Sequence, residues 1–111
     1  MDKTAIFQKI LSQEFSCYYM EDGFEVGWEN SLAELTSDSA IRLYPCLNND
    51  SIQEFSTFLD RLKNEPNHPF IETLSDETLI DWTDNPSTWK LLQRILELIG
   101  DNLKKINLAK K

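Results

Sequence analysis

Glycine, cysteine, proline and histidine are all scarce, with three, two, four and one respectively in 111 residues. None of the glycines sits in a Gly-rich loop ahead of a helix, which excludes the backbone cradle used to bind phosphate groups. The lone histidine, His68 in "EPNHPF", excludes His-rich metal sites. With no Ser or Cys nucleophile in a recognisable motif beside it, His68 reads as a loop residue and not a general base. Two cysteines cannot build a structural zinc site alone. Cys17 and Cys46 stand far apart in apolar surroundings and read as reduced thiols. Long apolar runs are also missing, and the ~20 residues needed to span a bilayer are never approached. "MDKTAIFQKI" lacks the continuous apolar stretch and the small-residue cleavage site of a signal peptide. These absences lead to the expectation of a cytoplasmic protein with no membrane association.

Positive charge is the next deficiency, and it is local. Residues 1–89 carry seventeen acids against five bases, whereas residues 90–111 carry six bases against two acids. No Lys or Arg occurs between Lys9 and Arg42, or between Lys63 and Lys90. The second of these spans holds Glu65, Glu72, Asp76, Glu77, Asp81 and Asp84. A surface built from such segments repels nucleic acid and anionic membranes and attracts a basic partner.

The chain itself is globular in composition. Hydrophobic residues make up 41% and twelve residues are aromatic, which argues against disorder despite the net charge of -8. Length and composition give one domain over residues 1–111. Helical periodicity is clearest at the end. Asn85 reads as an N-cap with Pro86 at the first helical position. From Trp89 to Ile106 the apolar residues cover about half of the helix circumference, and Leu108 falls on the polar side. A second helix is expected at 51–64, with Ser51 and Glu54 at capping-box spacing and Pro66 closing it. A third is expected at about 3–15, ending where Glu14 falls on the apolar face. Shorter helical pieces are expected at 31–36 and 75–82.

Residues 17–28 read differently. Two short runs flank a Gly-containing turn, and Phe24, Val26 and Trp28 alternate with Glu25 and Gly27, the pattern of a β-hairpin. "IRLY", residues 41–44, is a candidate third strand because Tyr44 precedes Pro45. The fold class expected is therefore α+β and mainly helical: three longer helices at about 3–15, 51–64 and 86–107, and a short hairpin near 17–28. An all-α bundle is the alternative.

Chemistry gives little to work with. "DWTDN" and "EDGFE" offer oxygen ligands without the alternating carboxylates and terminal Glu of a calcium loop, so neither metal nor cofactor is expected. Glu21 with Asp22, Asp76 with Glu77, and Asp81 with Asp84 could form acid/base pairs, a distant reading as a small carboxylate-dependent enzyme. The aromatics among the acids carry more weight. Trp28 and Trp82, with Glu21, Asp22, Glu25, Glu29, Asp81 and Asp84 around them, have the make-up of an aromatic anchor with a charged rim. The function expected is a non-enzymatic acidic protein-binding module. Its most concrete form is an inhibitor of the immunity-protein or antitoxin type, or a nucleic-acid mimic, that occludes the basic surface of a partner such as a nuclease. The alternative is a structural subunit or homodimeric adaptor, associating through Leu91 and Leu98 on the C-terminal helix.

Overall fold

The computed structural model describes residues 3–15, 28–47, 49–78 and 81–109. Among these residues there are five α-helices and no strand: α1 Lys3–Phe15, α2 Trp28–Leu43, α3 Asn49–Asn64, α4 Pro69–Thr78 and α5 Pro86–Ala109. The architecture is all-α, which corrects the expected α+β class. Residues 17–27 of the expected hairpin lie outside the described residues, but its last position, Trp28, opens α2. The candidate strand 41–44 is the end of α2 running into a 3-10 turn, Tyr44–Cys46.

The reason for that error lies in α2. Its buried face is Thr36, Ser39, Ala40 and Leu43, a helical i, i+3, i+4, i+7 stripe made mostly of small and polar side chains. A search for large apolar residues passes over it. It sees instead the alternation in "IRLY", although Ile41 is 58% exposed. Pro45 cannot continue the helix. The chain tightens, and Leu47 turns extended and buried, donating its N–H to the Tyr44 carbonyl at 3.1 Å.

The helix starts follow from capping chemistry. Asn85 caps α5 as expected: its Oδ1 accepts the Thr88 N–H at 2.9 Å and the Thr88 hydroxyl at 3.1 Å. α4 begins at Pro69, six residues before the expected helical piece, because Pro69 suits the first helical position and His68 caps it. The His68 Nδ1 accepts the Phe70 N–H at 3.1 Å, and its carbonyl accepts the Ile71 N–H at 3.0 Å. α3 starts at Asn49, so the Ser51–Glu54 spacing does not mark its beginning.

α5 is the centre of the molecule. Leu92, Ile95, Leu96, Ile99 and Leu103 are fully buried, and the helix packs on α2 along one flank and α3 along the other. Asn102 reaches Thr36 of α2 at 3.5 Å, and Tyr44 reaches Asn107 at 3.4 Å, so α2 and α5 run in the same direction. On the opposite flank Gln93 donates to the Lys63 carbonyl at 2.8 Å. α1 lies against α4. Phe7, Phe55, Phe58 and Phe70 form a ring cluster between them, with Phe7 edge-on to Phe55 at 5.2 Å. Glu14 does not merely mark the end of α1. It is buried, only 9% exposed, and held by Arg42 of α2, with Nη2 to Oε1 at 2.8 Å and Nε within 3.2 Å of both carboxylate oxygens.

Candidate functional site: an acidic groove on α4

Parts of the segment that lacks Lys and Arg in sequence line one groove. The 66–68 loop forms one wall, the exposed face of α4 the floor, and the turn at 81–83 the other wall, around a volume of about 640 Å³. Glu72 and Asp76, four residues apart, share one face of α4, and Asp81 faces them from the turn. All three are exposed, as are Glu77 and Asp84 close by in sequence.

Local bonds hold the walls. The Ser75 hydroxyl accepts the Trp82 backbone N–H at 3.4 Å, tying the turn to α4. Asp81 Oδ1 accepts the N–H and the hydroxyl of Thr83, each at 3.3 Å, and the Asp81 carbonyl accepts the Asp84 N–H at 3.2 Å. His68 uses Nδ1 for the helix cap, so Nε2 carries the proton of the neutral ring. The imidazole stands edge-on to Phe58, with centroids 6.4 Å apart. Nδ1 of His68 thus serves as the cap of α4.

The electrostatics are one-sided. The ion pairs among the described residues join Glu14 to Arg42, Glu65 to Arg61, Asp60 to Lys63 and Glu97 to Arg94. None of them neutralises Glu72, Asp76 or Asp81. A second cleft of about 430 Å³ shares Pro66–Pro69 and is closed on its far side by Arg61, Asn64 and Glu65. There the one arginine is already paired to Glu65 at 2.8 Å.

The residues expected from sequence distribute unevenly. Asp81 and Asp84 lie exposed on the turn. Glu21, Asp22 and Glu25 lie outside the described residues, as do the side chains of Trp28 and Glu29. Trp82, a partner anchor only if exposed, is a core residue. It is 0% exposed, edge-on to Phe15 at 6.3 Å and 80°. The turn folds inward because an indole buries more apolar surface than any other side chain it could enclose. Leu91 and Leu98 are half-buried and packed against the core. Leu98 shares its strip of α5 with Asn102, which faces α2, so the wide apolar half of α5 serves two neighbouring helices within the chain. Glu72 and Asp76 were absent from the expected site. The base-free span 64–89 was the signal for them, but placing both on one face required a helix at 69–78.

Among the described residues, no group of three His, Cys, Asp or Glu is arranged to hold a metal ion, and no helix is long and apolar enough to cross a membrane. No family model, curated protein or solved structure matches the chain.

Proposed function

We propose that the chain is a non-enzymatic acidic binding module, acting in the cytoplasm, that occludes the basic surface of a partner protein. A nuclease held by an inhibitor of the immunity, antitoxin or nucleic-acid-mimic type is the most concrete case. The observation that carries this reading is the convergence on one groove of Glu72, Asp76 and Asp81, which are in no ion pair among the described residues, in a segment free of Lys and Arg. A row of carboxylates on a rigid helix face can take the place of the phosphates such a partner normally contacts. Like-charge fields of this kind also speed encounter with a basic surface and reject acidic competitors. Pro66 and Pro69, both exposed, supply apolar contact beside the charges, a role that Trp82 does not fill.

The test is affinity capture from the native cytoplasm at low salt, followed by elution with rising salt. A basic protein should be retained, and its affinity should fall steeply with ionic strength. A Glu72→Lys/Asp76→Lys/Asp81→Lys variant should lose it while keeping wild-type helicity. Retention that is indifferent to salt, or unchanged in the triple variant, would refute the proposal.

A further inference from the structure

A crevice of about 250 Å³ lies between α3 and α5 and shares no lining residue with the acidic groove. Ser56 and Gly100 line it from facing helices. Ser56 is 6% exposed, and its Oγ is sealed from solvent with no hydrogen-bond partner among the described residues. Buried hydroxyls in folded proteins nearly always have one. Gly100 stands in the interior of the 24-residue α5, where glycine is the weakest ordinary helix former. Packing does not demand it. A Cβ at this position would meet only Leu59 Cδ1, at 3.6 Å, an ordinary van der Waals contact. Two residues on two helices therefore weaken the fold at one place. One leaves an unsatisfied hydroxyl sealed behind the crevice wall, and the other leaves space. Departures from local rules without a packing reason concentrate at functional sites.

We propose that this crevice binds a small zwitterion of the free amino-acid class. Its volume equals roughly eight waters' share of the liquid and falls below the range of drug-sized pockets, so the ligand has few heavy atoms. The rim sets its charges. Lys63 is held by Asp60 at 2.9 Å, while Asp101 and Lys104, one turn apart on α5, are in no ion pair among the described residues. An ammonium group meets Asp101 and a carboxylate meets Lys104. Rotation of Ser56 about χ1 brings its hydroxyl to the ligand between them, and Leu59 and Leu96 receive its carbon side.

The experiment is an amide-resolved NMR titration of the full chain with each free amino acid in turn, up to millimolar concentration. At least one should give saturable shifts confined to residues around 56–63 and 96–104. Ser56→Ala should weaken that binding about tenfold by removing one hydrogen bond to a charged group, and Gly100→Leu should abolish it. Asp101→Asn and Lys104→Gln, on the exposed rim, leave the fold intact and should each weaken binding by a similar factor. The absence of saturable shifts with every amino acid would overturn the proposal. So would binding unaffected by Ser56→Ala, Asp101→Asn and Lys104→Gln. Either result leaves the acidic groove untouched, since the two sites share no residue.

Discussion

Replacing Gly100 with alanine should stabilise the protein by about 1 kcal/mol. The gain comes from helix propensity, since glycine in a helix interior is about 0.8–1.0 kcal/mol less favourable than alanine. Part of it acts through the unfolded chain, which loses conformational freedom when the Cβ is added. The structure removes the usual objection to such a change. Beyond its own helix turn, the new methyl group would meet Leu59 Cδ1 at 3.6 Å and nothing else within 4 Å among the described residues, so no overpacking penalty offsets the gain. For 111 residues the entropy of unfolding near the midpoint is about 0.23 kcal/mol/K, so the melting temperature should rise by about 4 °C. Thermal and urea unfolding followed by circular dichroism measure both quantities, and the urea slope should not change. A melting temperature equal to or below that of the parent would mean that α3 and α5 approach more closely at this point than described, and the reasoning would fail.

Four further outcomes follow from the same structure. Arg42→Ala strands the buried Glu14 carboxylate and should cost about 1–3 kcal/mol in urea unfolding, the lower part of the range for broken buried pairs because Arg42 itself is half-exposed. A Glu14→Gln partner change should recover part of that loss. Asn85→Ala removes both hydrogen bonds made by the α5 cap and should cost about 1 kcal/mol, with Asn85→Ser retaining most of the stability. Trp82→Ala should cost about 3–5 kcal/mol as a core truncation. Trp82→Phe, by contrast, should leave capture of a basic partner unchanged, and a selective loss of binding in a stable Trp82→Phe protein would return the indole to the interface. Ser56→Ala should be neutral to stabilising by about 1 kcal/mol, because an unpaired buried hydroxyl is removed, and a destabilised variant would reveal a bond that the structure lacks.

The parts of the fold legible in sequence were those written in large apolar residues and strong caps. α1, most of α3 and α5 could be placed because Phe, Leu and Ile recur at helical spacing and Asn85–Pro86 announce a start. α2 was legible only in part, as a short helical piece at 31–36, because Thr36, Ser39 and Ala40 carry its buried face and small polar side chains leave no hydrophobic period. α4 was displaced to 75–82 because the cap that operates is a histidine whose imidazole nitrogen does the work usually given to Ser or Asp. The acidic character of 64–89 was plain from the missing bases. Its assembly into a groove was not, since that depends on the register of α4 and on the turn at 81–83 folding back. Trp82 shows the same limit from the other side: its acidic neighbours suggested solvent, but alternate positions of one tight turn face opposite ways.

Helix α5 is the last of the described elements to leave the ribosome, yet it supplies the hydrophobic spine on which α2 and α3 close. Until it emerges, the nascent chain carries the faces of α2 and α3 that α5 covers with no lid, a state in which chaperones are recruited and aggregation competes with folding. Closure of the described helices is thus delayed until α5 has been synthesised. Premature termination within 86–103 should yield a species cleared by proteolysis and not a smaller working domain.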